Sequence, residues 1–506
     1  MHLPVMLTAV VAHPPVYGCK IQSLDAAAAK AVKGVRAVLR VPSVWGGELV
    51  AVLADGYWHA KQGRDALKIE WDSSAVGKVD SAQQLAQYRE LAKRPGAPKV
   101  DADVSALDAA SHKISAEYVF PYLAHTPMEP LNCTVRVTGV GKDAKVELWL
   151  GTQAPGWEVA TAARVLGVET QNVQMAGGGF GRRANPRSGY VAEACEIAKA
   201  ARASGIDAPV RMIWSREDDV KGGYYRPMHV HRAEIGFDEK GRVIAWDHVI
   251  VGQSLAKGTA FESFMLKNGV DTTTVEGMKE PYDLPMRLSV HHPELNAPVL
   301  WWRSVGSTHT AYVMETLIDE IARAVKLDPV AYRLEQFGDR HLRHKAALLL
   351  AMEKSGYGKR QLAAGRAWGV AVHQSFDSVV AYVVEASMAE GAPKLHAFTA
   401  GVHCNLVVNP RSVEAQVQGG ALMGLGMCLP GAAITFKDGL VEQGNFNDYT
   451  VARLTDMPAI TVHLVPSADA PTGMGEPGVP PLAPAFANAI AKLNGHTPRE
   501  LPFPKA

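Results

Sequence analysis

No run of apolar residues in this sequence approaches a membrane span. The longest, such as Ala346–Met352, are far below the roughly 18 residues that one needs. Basic charge is not in excess either. Lys plus Arg is 52 against 51 for Asp plus Glu, a formal net charge of +1, so nothing is set aside to neutralise a phosphate backbone and nucleic-acid binding is not expected. Cysteine is sparse: Cys19, Cys133, Cys195, Cys404 and Cys428 are scattered, and no two have CxxC spacing. That argues against a disulfide framework, a zinc site of cysteine type and an iron–sulfur cluster in this chain. HExxH and a Gly-Lys-Ser/Thr phosphate loop are missing too, so a metal at work here is expected to arrive in a cofactor. The opening MHLPVMLTAVVAHPP has no basic segment and meets Pro4 and Pro14 early, which reads as neither a signal peptide nor a twin-arginine leader. Internal repeats and low-complexity segments are absent.

What is present is ordinary globular material. The chain has 506 residues, 47% of them hydrophobic, enough for two to four domains. Residues 1–75 read as a small α/β unit, with strands at Leu7–Ala12, Val35–Val41 and Leu49–Ala54 and helical periodicity over Trp58–Leu67. Residues 76–110 read as a connector holding one helix, Ser81–Lys93. From 111 to 345 strands alternate with helices at Ser188–Ala203, His309–Val325 (capped by Ser307 or Thr308) and Pro329–Gln336. From 346 to 506 come a helix at Ala346–Leu362, strands at Trp368–Val372, Val379–Ser387 and Lys394–Gly401, and helices at Ser412–Met427 and Pro484–Leu493. The mixed order predicts an α+β or irregular α/β fold rather than a TIM barrel.

Five segments carry chemistry. In Gly177-Gly178-Gly179-Phe180-Gly181-Arg182-Arg183, four glycines in five residues open the backbone so that successive N–H groups can face an anion, and Arg182 and Arg183 add fork-shaped donors. The alternative is a tightly turned connection. In Thr472–Pro481, Glu476 sits between Gly475 and Pro477. Proline biases the residue before it to an extended backbone and so aims the carboxylate; the alternative is a solvated glutamate in a turn. His125–Val135 holds a second Glu-Pro pair, Glu129-Pro130, that reads equally as a turn. Arg303 precedes a glycine turn and a helix start, a place suited to an anion or to loop carbonyls. Gly419, Gly420, Gly424 and Gly426 lie inside one helical pattern. Each costs roughly 1 kcal/mol against alanine, so the helix approaches either another helix or a cofactor closely. The isolated His13, His373 and His403 read as packing or surface residues.

Taken in order, AHPPVYG (Ala12–Gly18), HTPMEP, TQAPGWEVATAARVLGV (Thr152–Val168), GGGFGRR, WRSVG, GVHCNLVVNPRSVEAQVQGG and GEPGVPP closely resemble the molybdenum-cofactor-binding large subunit of the xanthine dehydrogenase/aldehyde oxidase family, in its isoquinoline 1-oxidoreductase beta-subunit branch. The resemblance implies a hammerhead-like α/β domain followed by a two-part molybdopterin-binding domain. It implies molybdopterin cytosine dinucleotide, whose dithiolene sulfurs hold the molybdenum without a metal ligand from the protein. Gly178, Gly179, Phe180, Gly181 and Arg182 would lie by the pterin, Arg303 would orient substrate or cofactor, and Gln418, Gly419, Gly420 and Gly475 would flank the dinucleotide. Glu476 matches the catalytic base. The reaction implied is oxidation of an N-heterocyclic aromatic or an aldehyde with water-derived oxygen. Electrons would pass to a small iron–sulfur subunit that carries the clusters, and on to an acceptor such as cytochrome c.

Two departures shape the expectation. Related beta subunits carry roughly two hundred further residues ahead of this point, with a GQGT-like cofactor segment and, in related full-length periplasmic subunits, the leader; the expectation is a truncated frame, a fragment, or half of a split subunit whose other part a separate chain supplies. Leu123 stands where many relatives have a glutamine, which makes purine substrates unexpected. The competing expectations are a truncated, inert remnant or scaffold, and a nucleotide-binding enzyme using the glycine loop for ordinary phosphates. His373, Phe376 and Trp301 are candidate pocket walls.

Overall fold

The computed structural model describes residues 3–177, 185–278, 281–389 and 391–504. It is α+β, with three main sheets among the described residues. The first has seven strands in the order 173–177, 145–150, 132–138, 210–213, 7–12, 48–54 and 35–42. Alternation explains its faces: in Leu7–Ala12 and Glu48–Ala54 the run of Val, Leu and Ala is buried throughout the middle, as expected of strands covered on both sides. The helices Pro155–Leu166 and Gly189–Ala203 pack on it around a core that includes Cys133, Cys195, Leu148 and Ile197.

This sheet runs across the expected division at residue 75. Leu7–Ala12 pairs in parallel with Val210–Ile213 and antiparallel with Glu48–Ala54, so the first unit shares its backbone ladder with strands far along the chain. Residues 76–110 are likewise not a bare connector. Ser81–Ala92 is a helix capped by the Asp80 carboxylate, and Ala97–Val100 forms the edge of the second sheet, whose order is 97–100, 286–291, 243–252, 229–237, 112–120. Local periodicity reveals strands but not which distant edge they join.

The third sheet is 366–375, 378–389, 392–403 and 459–464. The helices Leu342–Ser355 and Leu482–Asn494 pack against it. Helix Ser307–Ala324 lies between the second and third sheets, buried along nearly its whole length, and joins both into one core. It has no side-chain cap. Its N-cap is Gly306, and Ser307 and Thr308 lie inside the first turn, because the preceding residues form a left-handed turn that enters the helix directly. Arg333, fully buried, fixes the next helix, Pro329–Phe337, to this one: Nε donates to Glu315 Oε2 at 2.9 Å and Nη1 to Asp319 Oδ1 at 3.2 Å. No helix among the described residues is long and apolar enough to cross a membrane.

Candidate active site

The loop at 301–306 and the segment at 472–479 build one site between them. Trp302 is buried and anchors the loop through its Nε1–H on the Ala124 carbonyl at 3.1 Å. The next residues turn left-handed, Ser304 at φ 77 and Val305 at φ 48, which is costly for side chains other than glycine. The strain is offset by bonds to a single residue. The Ser304 N–H donates to Glu476 Oε2 at 2.7 Å, and the Ser304 hydroxyl donates to the Glu476 carbonyl at 2.7 Å. A left-handed turn of this kind points backbone N–H groups at an anion, and here the anion is the Glu476 carboxylate. Arg303 reaches across the same gap: Nε and Nη2 both donate to the Gly475 carbonyl, at 2.9 and 2.5 Å, and Nη2 also donates to Gln416 Oε1 at 2.9 Å.

Glu476 is half-buried. Burial pushes its carboxyl above the ordinary range, opposed by the Ser304 N–H and the Arg303 charge. No described residue donates to its other oxygen, Oε1. Gly475 is exposed, and a side chain there would meet open space. The carboxylate therefore stands at an opening, tethered by one oxygen and presenting the other.

The helix Pro410–Gly426 forms the adjoining wall, and its glycines divide by face. At Gly420 an added Cβ would lie 3.0 Å from the carbonyl carbon of Gly478, and at Gly478 one would lie 2.9 Å from Val417 Cα. Those glycines serve backbone-to-backbone contact between the helix and the segment carrying Glu476. Gly419 is exposed, and a Cβ there would lie 3.9 Å from Arg303 Nη1. Gln418 donates to Glu414 Oε1 at 3.2 Å on the same side. The sequence-predicted Glu476, Gly475, Arg303 and Gly419 are thus brought together. Gly178, Gly179, Phe180, Gly181, Arg182 and Arg183 lie outside the described residues; Gly177, which leads to them, ends a strand paired with Leu150.

From that strand end a row of rings leads back to the site. Trp157, just after Leu150, meets Phe261 with centroids 5.4 Å apart, and Phe261 meets Trp301 at 5.6 Å; all three are half-buried. Of these, sequence reasoning singled out Trp301 alone. It also missed Glu276, whose carboxyl burial and the charges of Asp271 and Glu476 push up to about 7. Its carbonyl accepts from the Thr310 hydroxyl. Nothing in DTTTVEGM distinguishes it from a solvated glutamate. Buried His373 lies against Gly277, beside Glu276. Phe376 is exposed at its backbone turn, where its carbonyl accepts from Gly473 N–H at 3.1 Å. Glu129 is exposed, on a turn held by Arg216 through the Pro127 and Met128 carbonyls. His13 is an ion-pair residue between Glu193 and Asp218. Leu123 is buried and lines a cavity of about 240 Å³ with Trp302 and Tyr449.

Comparison with known proteins places this geometry. The molybdopterin cofactor-binding domain matches the chain twice, over residues 92–337 and 325–458. Isoquinoline 1-oxidoreductase subunit beta of Brevundimonas diminuta is 29% identical, over 99% of this chain and 65% of its own length. A membrane-bound aldehyde dehydrogenase (pyrroloquinoline-quinone) of Gluconacetobacter polyoxogenes is 30% identical, over 97% and 66%. Among solved structures, quinoline 2-oxidoreductase from Pseudomonas putida 86 superposes with a TM-score of 0.77 at 15% identity, covering 98% of this chain and 92% of that one. The chain belongs to the molybdopterin-binding subunits of the xanthine dehydrogenase/aldehyde oxidase family. It spans about two thirds of the length of the two curated relatives.

The residues present fit such a cofactor. The opening is bounded by exposed Gly475 and Gly419, one guanidinium and one carboxylate. Among the described residues no group of three or more His, Cys, Asp or Glu is arranged to hold a metal.

Proposed function

We propose that this chain is the catalytic part of a molybdenum hydroxylase that oxidises a planar N-heterocyclic aromatic of the isoquinoline type, with aldehydes as the second substrate class. The observation that carries this reading is the Glu476 carboxylate, held by one oxygen and open at the other, at a glycine-lined gap beside Arg303. The half-buried rings of Trp157, Phe261 and Trp301 favour a flat substrate.

The net change converts a C–H bond and water into C–OH with release of two electrons and two protons. The molybdenum cofactor, when bound, supplies the two-electron oxidant and makes the water-derived nucleophile more acidic. Glu476 accepts that nucleophile's proton on Oε1. Its upward-shifted carboxyl brings the base closer to neutral pH, where proton transfer is most effective. Ser304 N–H holds Oε2 and keeps the side chain aimed. Arg303 ties the Gly475 carbonyl and so fixes the backbone on which the base stands, while Gly419 leaves room over the guanidinium. Molybdopterin cytosine dinucleotide is the form we assign, with Gln418 and the 178–182 loop as further contacts. The electrons leave to a small iron–sulfur subunit and then to an acceptor such as cytochrome c.

Purified protein tests this. About one molybdenum per chain, CMP released by acid, and oxidation of isoquinoline with incorporation of water oxygen are expected. Protein with no molybdenum would make the chain an inert scaffold, and binding of ATP or NAD without molybdenum would make it an ordinary nucleotide enzyme.

A further inference from the structure

Beneath the 304–306 turn lies a set of buried nitrogen atoms that this mechanism does not use. Strands His229–Phe237 and Val243–Gly252 and the first turn of helix Ser307–Ala324 gather His229, His231, His248 and His309, at 3%, 0%, 0% and 1% exposure. Hydrogen-bond logic fixes where their protons sit. Trp246 Nε1–H can only donate, and it lies 3.1 Å from His248 Nδ1. His248 Nδ1 is therefore an acceptor and its proton is on Nε2. That proton is donated to His231 Nδ1 at 2.9 Å, so the proton of His231 is on its own Nε2 and is donated to His309 Nδ1 at 2.8 Å. His309 is left with Nε2–H as a donor, and that atom is buried without a partner. Adding a proton anywhere in this chain would set two donors against each other. Burial likewise holds all four imidazoles neutral.

Two neighbours flank that atom. The ring of His229 stacks on His309, with centroids 3.8 Å apart and planes at 23°. Arg226, 2% exposed, donates from Nη2 to the Pro121 carbonyl at 2.7 Å and from Nη1 to Met427 Sδ at 3.8 Å, and lies over the Phe120 ring. None of these is acidic, and its Nε–H is unpartnered. Phe120 also contacts His231 and His309, so the guanidinium and the end of the histidine chain surround one ring. Room for His229 is built in: a side chain at Gly252 would lie 2.3 Å from its ring. A buried cation beside fixed N–H donors and, among the described residues, no carboxylate calls for an acceptor that carries negative charge.

We propose that Arg226, His229 and His309 form a buried site for one small monovalent anion of the halide class, bound by Arg226 Nε–H and His309 Nε2–H, with Trp246 setting the tautomers that make His309 a donor. The full chain crystallised from sodium bromide tests it directly. An anomalous bromine peak on those two atoms is expected; a water there, or bromide only elsewhere, overturns the site. In solution, sodium bromide should raise the melting temperature over sodium gluconate at equal ionic strength. Trp246→Phe frees His248 Nδ1, lets the chain reverse, and should weaken bromide binding about tenfold or more, the loss of one hydrogen bond to a charged partner. Unchanged halide binding in that variant would refute the tautomer argument. Should the variant not fold, the bromide map of the wild-type protein decides alone.

Discussion

Neighbouring glycines on the helix Pro410–Gly426 should respond to alanine with opposite signs. At Gly420 the new Cβ would lie 3.0–3.2 Å from Gly478 C and Cα and from Val479 N. These are backbone atoms of a segment tied to Arg303 and Ser304, so they yield only by a shift of the segment as a whole. Overpacking of that kind costs about 1–3 kcal/mol, against about 1 kcal/mol gained from helix propensity; the net expectation for Gly420→Ala is a loss of about 0–2 kcal/mol. At Gly419 the nearest atom is Arg303 Nη1 at 3.9 Å, so Gly419→Ala meets ordinary contact and gains up to about 1 kcal/mol. Urea unfolding of the two variants beside wild type measures the difference. The shift forced by Gly420→Ala also moves Gly475 and Glu476, so turnover should fall in that variant even at a temperature where it is fully folded. A Gly420→Ala protein as stable as Gly419→Ala would show that the helix does not press on the segment bearing the glutamate.

Other consequences follow from single contacts. Arg333→Met would leave buried Glu315 without its cation and Asp319 with Arg323 alone, and denaturant titration should show a loss of about 3–5 kcal/mol. Trp301→Ala removes one end of the ring row; its KM for isoquinoline should rise well above any change for a small aliphatic aldehyde, and equal changes would separate the rings from substrate choice. His13 is held protonated by Glu193 and Asp218, its pKa raised to about 10. A raised histidine pKa contributes stability that is complete below about 6.5 and is lost as pH rises through about 10. Melting temperature should therefore fall between those limits in wild type and fall less in His13→Asn.

Much of this was legible in the residues. The strands at 7–12 and 379–387 show in their β-rich runs, and the helix at 81–92 was expected over Ser81–Lys93. Glu476 stood out because proline follows it, and Arg303 because a glycine turn does, while the roles expected of them came from the family resemblance. What could not be read was long-range partnership. Gly420 left open another helix or a cofactor because a glycine in a helix signals close approach without saying to what; in the fold the segment it meets is that of Gly478. Ser304 carries no signal in the sequence, since its left-handed backbone, its N–H and its hydroxyl meet Glu476 only in the fold. Glu276 is set apart by desolvation and by its nearness to Asp271 and Glu476, and residues 1–75 looked independent because the pairing of Leu7 with Val210 spans most of the first sheet's sequence.

The central claim is that the Glu476 carboxylate, tethered by Ser304, is the base of a molybdenum-dependent oxidation. It is tested most directly by the turnover of Glu476→Gln relative to wild type at matched molybdenum content. Removal of a general base predicts a loss of about 10²- to 10⁴-fold, with metal content and unfolding unchanged, since the amide still accepts the Ser304 N–H. Turnover near the wild-type rate would contradict it.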